Sequence, residues 1–356
     1  MKKMMFVISS MTANGAERVM SLLVNKAAHD GNKVVLVLLS SNKIEYSIDP
    51  CIDIIFAGSN SVNTIKNVFN RIHKLREIMK KFKPEVVVSF LTTCNIYCCI
   101  ASLGLKIPVI VSDRNDPTKD CVSKLRRIIR NCCYRIAAGC IFQTEEAKEC
   151  FSAKIQSNSI VIPNPVKTDL PLWEADNENN VIIAAGRLTE QKNYKMMIDA
   201  FAIFSKNHEK FVLNIYGEGE DLEMLREYVT DKNLNNLIYF KGLIHNIHEK
   251  MQKATMYVLS SDYEGISNSL LEAMSIGLPC VSTDCPCGGS RHLITDGVSG
   301  FLTKVGDPVA FAKAMEIIAD SKELAKKMGA EAYKTRYTHY EKEILAQYFE
   351  YIISKG

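Results

Sequence analysis

Short apolar runs alternate with longer stretches of helical periodicity along this chain. Residues 4–9, 34–39, 52–56, 86–90, 109–112 and 139–143 read as buried strands, and residues 17–30 and 70–83 repeat apolar positions at helical spacing between them. A polar, proline-bearing break over residues 163–166 and 169–180 reads as a linker. The alternation then resumes, with strands predicted at 181–185, 211–216, 238–241, 256–259, 280–283 and 300–302. Helices are predicted at 194–206, 222–232, 247–253, 269–276 and 309–319. Repeated βα alternation predicts an α/β protein of doubly wound parallel sheets. A length of 356 residues suffices for two such domains, each with its own core.

An apolar content of 47% and a charged content of 24% are those of a soluble globular protein, and no run of about 18 apolar residues is long enough to span a membrane. Lys2 and Lys3 precede apolar residues as in a signal peptide, but that run is short and leads straight into the Gly15 turn, so a first buried strand and a cytoplasmic protein are expected. The 12 cysteines have no paired Cys-x2-Cys framework; Cys280, Cys285 and Cys287 lack a second ligand pair at zinc spacing, so no metal is expected and buried reduced thiols are. Charge is uneven. Residues 1–170 hold 24 lysines and arginines against 14 acids, so this half should face something anionic.

The chemistry concentrates in the second half. Glu264 and Glu272 lie eight residues apart, with Gly265, Ile266, Ser267, Asn268, Ser269 and Leu270 between them and a helix start predicted at Asn268 as N-cap. A helix N-terminus offers unpaired N–H groups and the positive end of its dipole, which suits a diphosphate. Glu264, on the loop, can then hold sugar hydroxyls and Glu272, early in the helix, ribose hydroxyls. Two glutamates eight apart also occur on many solvated helices. The case strengthens upstream, where the strand at 181–185 delivers Gly186-Arg187-Leu188 and then Lys192-Asn193 into a helix. Two cations at the carboxyl end of a parallel strand stand where open α/β sheets bind ligands, Arg clamping phosphate oxygens and Lys adding a point charge.

Gly186-Arg187-Leu188…Lys192-Asn193 together with Glu264-x7-Glu272 resembles the retaining glycosyltransferases of family 4, which have the GT-B fold. Residues 11–20, Tyr216-Gly217-Glu218-Gly219, Gly277-Leu278-Pro279 and residues 296–302 add to the likeness in the family's order. The resemblance implies two Rossmann-like domains with an interdomain cleft. Residues 1–170 would bind the acceptor, with 338–356 packing back on them, and residues 171–337 the donor. It implies a nucleotide-sugar donor, with a UDP-sugar expected, no required cofactor, and catalysis by Arg187, Lys192 and Glu264. It further implies donor contacts at Gly217 and Gly219, and base recognition around residues 241–244, including Leu243.

In the first half, Gly15 lets backbone N–H groups approach a phosphate at the first helix. Where many members of the family have a histidine on the donor sugar, this chain has Arg114; Arg114, Asn115 or Asp116 substitutes, or the loop only orders its surroundings. The helix bearing Lys66, Arg71 and Lys74 is basic and amphipathic through Ile72, Leu75, Ile78 and Met79, and a second cationic cluster includes Arg126 and Arg127. A solvated face is the plain reading. In an acceptor domain these clusters suit a saccharide or polyprenyl-diphosphate-linked acceptor, or an anionic membrane surface, which would make the protein peripheral at the inner face of the cell membrane. Nucleic acid fits poorly, because no aromatic residues interleave with the charge. The expected activity is therefore hexose or N-acetylhexosamine transfer in surface polysaccharide or oligosaccharide assembly. A sugar-nucleotide epimerase and a non-catalytic partner of another transferase stand as alternatives.

Overall fold

The computed structural model describes residues 1–12, 14–58, 64–121, 123–176, 179–244 and 246–356. Ala13 of the first glycine turn and residues 177–178 of the polar break lie outside the described residues. Residues 1–165 with 342–356 form one unit and residues 166–341 another.

The first unit runs β1 (Lys3–Ile8), α1 (Gly15–His29), β2 (Lys33–Leu38), β3 (Asp53–Phe56), α2 (Thr64–Phe82), β4 (Val86–Phe90), α3 (Thr92–Ser102), β5 (Val109–Ser112), α4 (Lys124–Ile136), β6 (Gly139–Phe142), α5 (Glu145–Glu149), α6 (Ala153–Gln156) and β7 (Ser159–Val161). Its seven strands are all parallel, in the order β3-β2-β1-β4-β5-β6-β7. Central β1 is buried on both faces from Met4 to Ile8, as a sheet covered by helices on both sides requires, and Phe6 pairs with Leu36 on one side and Val88 on the other. On α2 the predicted apolar stripe is used internally, with Leu75 and Met79 wholly buried.

The second unit runs β8 (Val181–Ala185), α7 (Tyr194–Phe204), β9 (Val212–Tyr216), α8 (Leu222–Asp231), β10 (Ile238–Gly242), α9 (Ile247–Met251), β11 (Met256–Leu259), α10 (Asn268–Ile276), β12 (Cys280–Thr283), α11 (Gly289–Leu293), β13 (Phe301–Thr303), α12 (Pro308–Asp320), α13 (Lys322–Tyr333) and α14 (Thr335–Thr338). Its six parallel strands are ordered β10-β9-β8-β11-β12-β13. One core, with Phe201, Phe204 and Phe311, lies under α7 and α12; a second, with Leu270, Met274 and Tyr257, lies under α10. The segment read as a linker is packed rather than loose. Val166 and Leu170 are buried, and Trp173 donates from its backbone to the Ile276 carbonyl and from its indole to the Ala254 carbonyl at 2.8 Å.

The last helix, α15 (Glu341–Lys355), supplies Ile344, Leu345, Tyr348, Phe349 and Ile352 to the core of the first unit. Fully burying one such side chain contributes about 1.5–3 kcal/mol, so α15 is a structural part of that unit. Gly139 opens β6 without a side chain because a Cβ there would sit 2.5 Å from the Tyr351 hydroxyl.

Candidate active site

Because the strands of the second unit are parallel, β10, β9, β8 and β11 all end at one edge of the sheet. Their following loops, with the first two turns of α10, carry every predicted donor-side residue except Gly15. Strand order reverses between β8 and β11, and open α/β sheets form their ligand crevice at such a point.

After β8, Arg187 is exposed and has no ion-pair partner among the described residues, while Leu188 next to it is wholly buried. Lys192 ends a single 3₁₀ turn, Glu190–Lys192, and is followed by Asn193 in left-handed backbone at φ 44°, a conformation asparagine tolerates. The Asn193 side chain caps α7 by accepting from the Met196 N–H at 3.1 Å, and donates to Asp262 at 2.7 Å. The Asp262 N–H in turn donates to the Gln191 carbonyl, and the Gln191 side chain to the Tyr263 carbonyl, both at 2.9 Å. The Ser260 hydroxyl donates to the Lys192 carbonyl at 2.7 Å. The loops after β8 and β11 are thus knitted together, and the two charged side chains that the sequence singles out on them meet. Lys192 Nζ pairs with Glu264 Oε2, with the side chains 13% and 16% exposed, and the Ser261 hydroxyl donates to the same carboxylate at 3.3 Å.

After β9, the glycine turn lies against the one after β8. The Gly186 N–H donates to the Tyr216 carbonyl at 3.0 Å and the Leu188 N–H to the Glu218 carbonyl at 2.9 Å. A Cβ on Gly217, whose φ is +133°, would fall 2.0 Å from the Gly186 oxygen, and one on Gly219 would fall 2.1 Å from the Leu188 oxygen. Both glycines are therefore required by backbone approach. Past β10, Leu243 is exposed beside Gly242, whose carbonyl accepts from the Gly217 N–H at 2.9 Å.

Helix α10 begins one residue earlier than the cap prediction. Ser267 is its N-cap and Asn268 its first residue, which puts Glu272 in the second turn. The Ser267 and Ser269 hydroxyls lie 3.1 Å apart, and Ser269 donates to the Ala185 carbonyl at 3.0 Å, tying the helix start to the end of β8. Ile266 and Leu270 are buried apolar side chains, so only their backbone can face a ligand. Glu272 is buried, and its Oε2 lies 2.8 Å from His248 Nε2 on α9. His248 escapes sequence reading because one histidine on a five-residue helix carries no pattern. Gly289 escapes it too: a Cβ there would fall 1.8 Å from the Gly265 oxygen, so this glycine opening α11 sets the position of the Glu264 loop.

Cys285 is buried and its thiol donates to the Ser261 carbonyl at 3.1 Å; burial pushes its pKa up to about 12. Among the described residues no group of three or more His, Cys, Asp or Glu side chains is placed to hold an ion. No described helix is long and apolar enough to cross a membrane.

Candidates in the first unit are dispersed over four elements. Gly15 opens α1 behind Asn14. Arg114, after β5, is engaged within its own unit: its guanidinium donates to the Tyr348 hydroxyl at 2.6 Å and to Asn164, and stacks over Phe90 at 4.7 Å. Asn115 is half-buried beside it, and Asp116 is wholly buried, accepting from the Thr118 N–H at 2.7 Å. On α2, Lys66 and Lys74 are exposed, with Lys74 Nζ donating to the Gly58 carbonyl at 2.7 Å, and Arg71 is half-buried. On α4, exposed Arg126 donates to Thr93 and exposed Arg127 to the Cys121 carbonyl at 3.2 Å.

Asp113 accepts from the Thr92 and Tyr134 hydroxyls, each at 2.9 Å, while its Oδ2 is buried without a partner. Burial, followed by the charge of Asp120, raises its pKa from 3.8 to about 6. A carboxyl whose pKa is raised by folding contributes stability that is fully present below pH 3.8 and is lost as pH rises through 6. Asp113→Asn should therefore be more stable than the parent at pH 7, by on the order of 2–3 kcal/mol, with the gap closing toward pH 4. Thermal melts across that range test this; a gap that does not change with pH contradicts it.

Two parallel α/β units, one presenting a paired lysine and glutamate at its strand crossover, define a two-domain GT-B protein. The family model described as "Glycosyltransferase Family 4" matches residues 13–170 and that described as "Glycosyl transferases group 1" matches residues 168–335. The chain belongs to the family 4 glycosyltransferases and is a hexosyltransferase. It is 25% identical over 334 residues, 92% of each chain, to the GalNAc-alpha-(1->4)-GalNAc-alpha-(1->3)-diNAcBac-PP-undecaprenol alpha-1,4-N-acetyl-D-galactosaminyltransferase of Campylobacter jejuni. Over 165 residues, 44% of this chain and 45% of the other, it is 31% identical to the lipopolysaccharide 1,6-galactosyltransferase of Escherichia coli. Among solved structures, Anabaena HepE in complex with UDP-glucose superimposes with a TM-score of 0.83 at 18% identity, covering 99% of this chain and 100% of that one.

Proposed function

We propose that the chain transfers a hexose or N-acetylhexosamine from a UDP-sugar, with retention of anomeric configuration, to a lipid-linked or saccharide acceptor. The observation that carries this reading is the meeting of Lys192 with Glu264 at the β8–β11 crossover, beside exposed Arg187. In the unliganded chain, Glu264 holds the Lys192 ammonium in place. A diphosphate bound at the crossover takes Lys192 and Arg187 as counter-cations for the charge that develops on its leaving oxygen, and such preorganised charge is usually the largest electrostatic aid to a transfer reaction. Glu264, released in part, then orients sugar hydroxyls together with the backbone of residues 265–268. Glu272 takes the ribose hydroxyls and His248 holds that carboxylate in position. Exposed Leu243 and the turns at Gly217 and Gly219 line the base side. The printed activities of the Campylobacter and Escherichia relatives support a glycan acceptor, lipid-linked in the first case, and the UDP-glucose of HepE supports the donor class. The cations Lys66, Arg71, Lys74, Arg126 and Arg127 suit an acidic lipid-linked acceptor.

The deciding experiment is a panel of UDP-, GDP- and ADP-sugars in which nucleotide diphosphate release is followed with and without lipid-linked and soluble glycans. Release from none of them, under conditions where the chain is folded, overturns the reading. Activity should survive EDTA, because two side-chain cations are already aimed at the diphosphate; loss on chelation that Mn²⁺ or Mg²⁺ restores contradicts this. His248→Ala should raise the KM for donor about tenfold with little change in kcat, because ribose is held equally in the ground and transition states. A kcat effect with unchanged KM would place His248 in a different role.

A further inference from the structure

Most amphipathic helices of the first unit spend their apolar stripe on the core. Helix α4 has a second one. Its core face is complete without that stripe: Tyr134 is buried against Phe151 with ring centroids 5.5 Å apart, Cys133 and Ala137 are buried, and buried Arg130 stacks on Phe151 at 4.6 Å while donating to the Pro117 carbonyl at 2.6 Å. A different side of the same helix exposes Leu125 (66%), Ile128 (60%), Ile129 (38%) and Ile136 (60%). Positions 125, 128, 129 and 136 fall on one stripe at 3.6 residues per turn, roughly a third of a turn from the core face. Exposed Lys124 and Arg135 follow along the border of this stripe, and the helix contains no acidic residue from end to end. Nothing in the fold of the first unit requires four large aliphatic side chains in water beside those cations.

We propose that α4 is an interfacial docking helix for an anionic lipid bilayer, lying in the plane of the surface with Leu125, Ile128, Ile129 and Ile136 among the acyl-chain boundaries and Lys124 and Arg135 at the headgroups. An apolar stripe bordered by lysine and arginine is the pattern that seats a helix in that zone, with apolar area and charge acting together. Charge selects this occupant over a second copy of the chain. A two-fold contact through α4 would set one acid-free cationic helix against another, and a neutral apolar partner would leave the cations without counter-charge. Helix α2, the basic helix prominent in the sequence, buries Leu75 and Met79 wholly and, among the described side chains, exposes a single large apolar one, Phe69, which makes no stripe. The proposal does not rest on the transferase reading; it concerns the surface of the first unit alone.

The test uses the full chain and extruded vesicles of phosphatidylglycerol with phosphatidylcholine, compared with phosphatidylcholine alone, by flotation. The parent chain should float with anionic vesicles at low salt and less so as salt rises and screens the cations. Replacing Leu125, Ile128 and Ile129 together by Gln should reduce partitioning about 10²-fold, and replacing Lys124 and Arg135 by Gln should reduce it by about fivefold per cation. The residues are exposed, so both variants should keep the parent's melting temperature. Replacing Lys66 and Lys74 on α2 should have less effect than either. Nucleotide diphosphate release with a soluble acceptor should be unchanged in these α4 variants, none of which touches a residue of the proposed transferase site, and this separates failure of docking from failure of the transferase assignment. The proposal is overturned if the parent does not float with anionic vesicles, if the Leu125/Ile128/Ile129 variant floats equally well, or if that variant instead abolishes a dimer seen by sedimentation.

Discussion

Turnover should fall by about 10²-fold or more in Arg187→Ala and in Lys192→Ala, with the chain still folded in both. The two losses should differ in character. Arg187 is exposed and without an ion-pair partner among the described residues, so its removal takes a cation from the diphosphate and disturbs little else. Lys192 is bound to Glu264 in a shielded pair, so its removal also leaves that carboxylate without its counter-charge. Lys192→Ala should therefore raise the KM for donor as well as lower kcat, because the carboxylate that Lys192 holds loses its fixed position, whereas Arg187→Ala should act mainly on kcat. Steady-state kinetics of both variants provide the check, and near-normal turnover in the pair would sink the assignment of the site.

Gly289→Ala should be nearly as damaging although it adds one methyl group and touches no proposed ligand contact. The new Cβ would stand 1.8 Å from the Gly265 oxygen, closer than any real contact, and the atom it meets is backbone. Either α11 or the loop carrying Glu264 must move. Overpacking of this kind costs about 1–3 kcal/mol, and a shift near 1 Å at a positioning loop commonly costs a large factor in rate. The expected result is a kcat/KM for donor reduced by at least about tenfold. A variant matching the parent in both melting temperature and donor kinetics would show that the loop is not set by this contact.

Elements with strong local signals were legible from residue order alone. The run over β8, Val181–Ala185, is uniformly apolar, and glycine, arginine and lysine follow it at once, so strand, turn and charge were read together. Strand β7, Ser159–Val161, was not read, because it is three residues long, half-buried and at the sheet edge. The cap of α10 was read one residue late, since Ser267 and Asn268 are both good N-cap types and local preference cannot choose between neighbours. The meeting of Lys192 with Glu264 follows from positions that residue order made visible, since both stand just after strands that read plainly. Other residues were hidden because their part depends on a tertiary partner. Gly289 matters through the Gly265 carbonyl, His248 through Glu272, and Arg114 is occupied by Tyr348, which lies 234 residues away in sequence. Helix α2 drew attention by its charge, and only burial shows that its apolar face is already used.

The helix that closes the core of the first unit is made only after the whole of the second unit. During synthesis, β1 to β7 and their helices leave the ribosome without Ile344, Leu345, Tyr348, Phe349 and Ile352, while residues 166–341 already hold everything their own sheet needs. A nascent chain released at residue 341 should therefore carry a finished C-terminal unit and an unfinished N-terminal one, the reverse of the usual N-to-C order of completion. Until α15 arrives, the apolar surface around Phe90, Ile110 and Ile141 is open to water, which makes the earlier-synthesised half the one most exposed to chaperones and proteases.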